Sequence, residues 1–168
     1  MGGEGLCKAS SIRPPAGALA YTAPMTSNRA FLWPVRVYWE DTDAGGVVYY
    51  ANYLKFFERA RTEWLRALGL EQQRLAEQQR LLFVVGSAQL RYLASARLDD
   101  ALLVSAVPQR VGGASIDLLQ EVRRGGAEQA SSFAELPLLT TLQVRVACVD
   151  ADGMRPARLP REVLERLG

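Results

Sequence analysis

The residues best suited to chemistry lie between positions 39 and 66, in the stretch WEDTDAGGVVYYANYLKFFERARTEWLR. Two carboxylates, Asp41 and Asp43, precede a glycine pair, Gly45 and Gly46, and an amphipathic segment follows the pair. A carboxylate can attack a carbonyl carbon or take a proton from water. The first N–H groups of a helix lack partners inside the helix and carry a partial positive charge, which suits them to stabilise an oxyanion. The stretch is therefore a candidate reaction site.

Each residue of this turn also has a structural interpretation. Asp43 either carries the chemistry or caps the turn by accepting backbone N–H groups. Gly45 and Gly46 allow a ligand to approach the backbone closely, or simply permit a positive φ in a tight turn. Asp41 is either a charge that acts on Asp43 or a solvated charge at the end of a strand, and we favour the second interpretation.

The segment from about Asn52 has the period of an amphipathic helix. The aromatic residues at its start have two interpretations: Tyr49, Tyr50 and Tyr53 line a substrate pocket, or they belong to the core. Aromatic residues at helical spacing are more often core residues. Arg61 falls inside the apolar arc, so its guanidinium needs a partner. We expect an ion pair with Glu58, one turn earlier.

Composition limits the classes of function. The chain has 168 residues, 49% of them hydrophobic and 23% charged, which is typical of one globular domain. The net charge of +2 gives no electrostatic case for binding nucleic acid. Histidine is absent, which removes Ser-His and Cys-His nucleophiles and His metal ligands, so any hydrolytic chemistry must use carboxylates, Tyr, Lys or backbone dipoles.

Location is inferred from the same composition. No apolar run is long enough to span a bilayer, and residues 1–30 lack the continuous apolar core of a signal peptide. Two cysteines make a disulfide framework improbable. We therefore expect a cytoplasmic protein whose residues 1–30 form a loosely attached tail and whose residues 31–168 form one domain.

The pattern along the chain predicts the order β-α-β-β-β-β. Strands are predicted over residues 31–41, 81–93, 101–111, 114–124 and 136–150, and helices over the segment from Asn52, residues 71–79 and residues 160–167. The fold class is therefore α+β, with one long apolar helix against an antiparallel sheet of about five strands. Short connections suggest that the last four strands form a meander.

This order, with DTDAGGVVYYANYLKFFERARTEW between the first strand and the helix, resembles the hotdog-fold acyl-CoA thioesterases. It is most similar to the YbgC-type, Tol-Pal-associated branch of the 4-hydroxybenzoyl-CoA thioesterase family. The resemblance runs from about residue 35 to the C-terminus, and it is strongest over 37–66, 96–100 and 144–156.

The resemblance implies an acyl-CoA substrate, a reaction that needs no metal and no cofactor, and roles for named residues. The family's catalytic carboxylate matches Asp43, and its helix N-terminal N–H, which polarises the thioester carbonyl, matches Tyr50. The residues that we expect to contact substrate are Gly45, Gly46, Val48, Tyr49, Tyr53 and Glu58, and Glu58 is also the second candidate acid. The family's basic unit is a dimer whose sheets join edge to edge, and two dimers often pair into a tetramer. Acyl carrier protein and Tol-Pal envelope components are further candidate partners.

Three features depart from the family pattern. Many YbgC-type relatives have His where this chain has Tyr50, so no role of that imidazole carries over. The 4-hydroxybenzoyl-CoA enzyme is similar to this chain in having Tyr there. Residues 127–141 form a longer connection than usual, and the N-terminal tail is additional.

Three other functions are alternatives to a thioesterase. A hotdog dehydratase needs a His that the chain lacks. A phosphoryl-transfer enzyme with a D-x-D motif and Mg²⁺ needs a buried apolar strand before the acids, and charged residues interrupt this one. The alternative from another class is a binding module that holds acyl-CoA or acyl carrier protein without turnover.

Overall fold

The computed structural model describes residues 30–167. The predicted tail over residues 1–30 lies outside the described residues apart from its last position. The described chain forms one five-stranded antiparallel sheet with three α-helices, which confirms the predicted α+β class and element order. The elements are β1 (Phe31–Arg36), α1 (Asn52–Ala67), α2 (Gln72–Gln79), β2 (Leu81–Tyr92), β3 (Ala101–Val111), β4 (Ser115–Arg124), β5 (Leu138–Asp150) and α3 (Arg161–Leu167).

The strands lie in the order β1-β3-β4-β5-β2. The predicted meander of the last four strands is wrong at one step, because β2 pairs with β5 and not with β3. Both sides of β3 are taken by β1 and β4, and β2 lies instead at the outer edge of β5. The connection at residues 93–100 must therefore pass the ends of β5 and β4, and this brings it beside the turn that contains Asp43.

Helix α1 packs mainly over β1 and β3. Its buried apolar residues recur at helical spacing, as predicted: Tyr53, Phe56, Phe57, Ala60 and Trp64. Each large apolar side chain buried in this way contributes roughly 1.5–3 kcal/mol to stability. Helix α1 covers the edge strand β2 less well, and residues 85–89 of β2 are exposed.

The first strand is shorter than its alternating pattern predicts. β1 ends at Arg36, and Trp39–Asp41 form a 3₁₀ helix in place of the last strand residues. The Asp41 carboxylate causes this turn, because it accepts the N–H of Tyr38 at 2.9 Å while the Asp41 N–H donates to the Tyr38 carbonyl at 3.0 Å. Trp39 alternates with Val37 within the predicted strand of residues 31–41, but Val37 is buried and Trp39 is 79% exposed.

The remaining connections follow the predictions closely. The chain between β4 and β5, expected to be irregular, contains a 3₁₀ segment at Ala127–Glu135. The terminal helix begins directly after Pro160, whose carbonyl accepts the N–H of Val163 at 3.0 Å. Among the helices of residues 30–167, none combines the length and apolar character that crossing a membrane requires.

Candidate active site

Asp43 lies in a tight turn whose two arms pair with each other. Thr42 pairs with Val48, and the Asp43 N–H donates to the Val47 carbonyl at 2.9 Å. One carboxylate oxygen, Oδ1, accepts the N–H of Gly45 at 2.8 Å. Within residues 30–167 the other oxygen, Oδ2, has no hydrogen-bond partner, and the residue is exposed. The capping role and a chemical role therefore use different oxygens of one carboxylate.

The two glycines of the turn are needed for different reasons. Gly46 has a φ of +71°, a left-handed conformation that other residues rarely adopt. At Gly45, a Cβ atom would lie 3.0 Å from Oδ1 of Asp43. Gly45 therefore allows the close approach of its N–H to the carboxylate, and Gly46 allows the chain to turn back.

Of the three N–H groups at residues 48–50, which precede α1, two have partners within residues 30–167 and the predicted donor, that of Tyr50, has none. The N–H of Val48 donates to the Ala96 carbonyl at 2.9 Å, and that of Tyr49 donates to the Asp41 carbonyl at 2.8 Å. No hydrogen bond among residues 30–167 uses the N–H of Tyr50. The N-cap residue Ala51 provides no side-chain cap for this end of the helix, which carries a partial positive charge.

Two buried polar residues join the acidic turn to the helix. The Asn52 amide donates to the carbonyls of Glu40 at 3.3 Å and Asp41 at 3.1 Å. Asp41 is 3% exposed and binds the Tyr38 N–H, so our interpretation of Asp41 as a solvated charge was wrong. It is a structural carboxylate, and it does not form a D-x-D pair with the exposed Asp43. Sequence reasoning also missed Asn52 as a positioning residue, although it is polar at a buried helical position.

Asp43 and Tyr50 line one groove with a volume of about 380 Å³. The rest of its wall comes from Val47, Val48, Tyr53, Tyr92 and residues 93–95. Tyr53 is buried, which raises the pKa of its hydroxyl, and that hydroxyl accepts the Ala96 N–H at 2.9 Å. Sequence reasoning missed Tyr92 and residues 93–95, because they reach the groove only through the crossing connection. Tyr49, which packs against Tyr50 with ring centroids 4.7 Å apart, does not line the groove.

Glu58 lies at a different cavity, further along α1. Its carboxylate accepts the hydroxyl of Thr62 at 2.7 Å. The expected Glu58–Arg61 ion pair is wrong, because no salt bridge within residues 30–167 involves Arg61, which instead donates to Oε1 of Gln120 on β4 at 2.8 Å. Burial lowers the pKa of Arg61, and the charge of Glu58 opposes that effect. In this chain the structure brings Asp43 and Tyr50 together but not Glu58.

The groove combines a partly free carboxylate with an unpartnered N–H at the start of a helix, which is the equipment needed to attack and polarise a carbonyl group. A family model described as the thioesterase-like superfamily matches residues 37–167. The chain therefore belongs to the thioesterase-like superfamily.

Comparison with individual proteins indicates which branch of the superfamily this chain is most similar to. The chain is 47% identical over 136 residues to the acyl-CoA thioesterase YbgC of Haemophilus influenzae, covering 81% of this chain and 93% of that protein. It is 44% identical over 134 residues to the acyl-CoA thioester hydrolase YbgC of Escherichia coli, covering 80% and 92%. A solved structure of a probable thioesterase from Bartonella henselae superposes with a TM-score of 0.65 at 32% identity, covering 79% of this chain and all 100% of that one. The expected hotdog fold, the YbgC-type resemblance and the class of thioester hydrolase are confirmed.

Proposed function

We propose that this chain is an acyl-CoA thioesterase that uses Asp43 as its catalytic carboxylate and the Tyr50 N–H as its oxyanion donor. One observation carries the proposal: the free Oδ2 of Asp43 and the unpartnered N–H of Tyr50 belong to residues that line one groove. The names of the YbgC relatives support acyl-CoA as the substrate class.

Two routes fit this carboxylate. In the first, Asp43 attacks the thioester carbon, the C–S bond breaks to release CoA as the thiolate, and water then hydrolyses the mixed anhydride. In the second, Asp43 takes a proton from water while the water oxygen attacks the same carbon, and the collapsing intermediate expels CoA. Both routes consume one water and yield a carboxylic acid and CoA, and both leave Asp43 unchanged at the end.

Either route places negative charge on the thioester oxygen. An N–H donor aimed at that oxygen is worth roughly 2.7–4 kcal/mol in comparable sites. The Tyr50 N–H has no competing acceptor among residues 30–167. Its side chain is not the donor, so a phenylalanine at this position keeps the proposed function. This is why a chain without His at position 50 can still polarise its substrate.

The neighbouring residues take supporting roles in this proposal. Gly45 and Gly46 do not line the groove and shape the turn that carries Asp43. Val48 and Tyr53 form the apolar wall for the acyl group. Tyr49 and Glu58 do not line this groove, so they contact substrate only if a second copy brings them to it. The cytoplasmic location, acyl carrier protein and Tol-Pal components stay predictions.

We further propose a homodimer built through β2. This strand is the last in the sheet, so within the described chain one of its edges pairs with nothing. Val85 and Leu93, at and just beyond β2, are exposed apolar residues. An exposed strand edge is a template for pairing with another chain. Light scattering during gel filtration should give the mass of a dimer or tetramer, and a monomer at micromolar concentration would contradict this part of the proposal.

The function is tested by thiol release from a panel of acyl-CoAs, from short aliphatic to long-chain and benzoyl. Wild type is compared with Asp43→Asn and with a matched control, Glu40→Gln, which removes a neighbouring exposed acid. We expect Asp43→Asn to lower kcat about 10²–10⁴-fold and Glu40→Gln to leave it within twofold. Circular dichroism establishes that both variants are folded.

The other outcomes assign the function differently. Equal losses in both variants would mean that Asp43 has no special role, and Glu58→Gln is then the next variant. Tight acyl-CoA binding without turnover in wild type would favour the non-catalytic binding module. Comparing the same acyl group on CoA and on acyl carrier protein distinguishes the two carriers.

A further inference from the structure

The carbonyl of Tyr50 lies outside the hydrogen-bond ladder of α1. In a regular helix the N–H of Leu54 would reach back four residues to this carbonyl. It donates instead to the Ala51 carbonyl at 3.1 Å. The Tyr50 carbonyl is taken by a residue from another element, because the hydroxyl of Tyr92, the last residue of β2, donates to it at 3.0 Å.

The ring of Tyr92 contacts two other tyrosine rings. It makes edge-to-face contacts with Tyr50, at 6.4 Å between ring centroids, and with Tyr53, at 5.8 Å. Its backbone pairs with Thr140 in the β2–β5 ladder. Burial raises the pKa of the Tyr92 hydroxyl, and the neighbouring Tyr50 and Tyr53 add to this effect. The hydroxyl therefore remains a neutral donor throughout the range in which a thioesterase is assayed.

We propose that Tyr92 is a positioning residue for the oxyanion donor, and that its hydroxyl fixes the Tyr50 carbonyl and thereby helps to hold the orientation of the Tyr50 N–H. The inference rests on the proposed function. The Tyr50 N–H lies in the peptide plane that it shares with the Tyr49 carbonyl, and that carbonyl accepts the Asn52 N–H at 2.8 Å. The Tyr50 carbonyl belongs to the next peptide plane, which the helix ladder does not anchor. Tyr92 restrains this second plane and so narrows the φ and ψ torsions of Tyr50, which join the two planes.

The test is Tyr92→Phe, which removes the hydroxyl and keeps the ring contacts. The matched control is Tyr38→Phe, because Tyr38 is exposed and its hydroxyl has no hydrogen bond within residues 30–167. Removing a donor from an oxyanion site costs about 10²–10³-fold, and Tyr92 only orients such a donor. We therefore expect kcat to fall about tenfold in Tyr92→Phe with KM within twofold, and no change in Tyr38→Phe.

A second measurement separates positioning from general damage. An acyl-CoA analogue with a trifluoromethyl ketone in place of the thioester mimics the charged tetrahedral state, and a thioether analogue mimics only the bound substrate. In Tyr92→Phe the ketone should bind about tenfold more weakly, while the thioether binds as it does to wild type. Equal weakening of both analogues would overturn the positioning role.

The outcomes also separate this inference from the proposed function. If wild type is active and depends on Asp43, but Tyr92→Phe keeps kcat within twofold, the role of Tyr92 alone is wrong. If wild type releases no thiol from any acyl-CoA, the proposed function is wrong and the role of Tyr92 falls with it.

Discussion

Arg61 on α1 and Gln120 on β4 should be energetically coupled, and the hydrogen bonds of Gln120 indicate how much the pair contributes to stability. Gln120 is fully buried, accepts from Arg61 and donates to the carbonyls of Phe57 at 3.2 Å and Ser105 at 3.1 Å. Gln120→Leu leaves the guanidinium of Arg61 without its partner, and removing one partner of a buried charged group costs about 3–5 kcal/mol. Gln120→Leu should therefore lower the free energy of unfolding by about 3–5 kcal/mol.

Arg61→Met should lower the free energy of unfolding by less than Gln120→Leu does, and the effects of the two substitutions should not be additive. Arg61→Met removes the charge and leaves only Oε1 of Gln120 without a donor, at about 1–3 kcal/mol. The double variant Arg61→Met/Gln120→Leu removes both polar groups, so it should be at least about 1.5 kcal/mol more stable than the sum of the single losses predicts. Glu58→Gln is the control, and it should cost less than about 1 kcal/mol because this carboxylate is exposed and does not pair with Arg61.

Urea unfolding followed by circular dichroism measures all four variants against wild type, and unchanged m-values establish that the comparison is valid. Losses that add to within about 0.5 kcal/mol would refute the coupling between Arg61 and Gln120. A loss of about 3 kcal/mol in Glu58→Gln would refute the assignment of Gln120 as the partner of Arg61 and restore the ion pair with Glu58.

Three further predictions follow from single contacts. Gly45→Ala should lower kcat about tenfold, because its Cβ displaces the Asp43 carboxylate; unchanged turnover would show that this approach is not needed. In a Cys7→Ser chain, Cys148 should not react with Ellman's reagent until urea unfolds the protein, because burial raises its thiol pKa. Backbone N–H groups lower the pKa of Asp150. The stabilisation that this carboxylate provides is therefore complete above the pKa of an unfolded carboxyl group, and it is lost as the pH falls through the lower pKa of the folded state. The difference in urea midpoint between wild type and Asp150→Asn should shrink from pH 7 to pH 3.

The sequence was sufficient to predict the parts of the site that are local along the chain. Asp43, the glycine pair and Tyr50 lie within one turn-to-helix segment, so the period of α1 alone was enough to place the acid before a helix N-terminus. The same local reasoning failed at Trp39, whose alternation with Val37 suggested a strand. There the Asp41 carboxylate binds the backbone and turns the chain.

The non-local parts left weaker signals. Tyr92 reaches the groove because β2 pairs with β5, and no spacing within residues 81–93 indicates that pairing. Gln120 did leave a signal. It is a polar residue at the inward phase of a strand whose other inward positions are apolar, namely Ile116, Leu118 and Val122. A buried amide at such a position needs partners, and this requirement pointed to a contact with the helix above the sheet.

In the proposed mechanism the backbone contributes more than any titrating side chain. The chain has no histidine, and the proposed catalytic carboxylate, Asp43, accepts a backbone N–H with one of its oxygens. The proposed oxyanion donor is likewise a backbone N–H, and the Tyr92 hydroxyl donates to the carbonyl of the same residue. The strand that ends in Tyr92 is also one of the two edge strands of the sheet. Pairing of that edge with a second copy would restrain the strand that carries Tyr92, so the proposed dimer and the proposed orientation of the Tyr50 N–H depend on the same element.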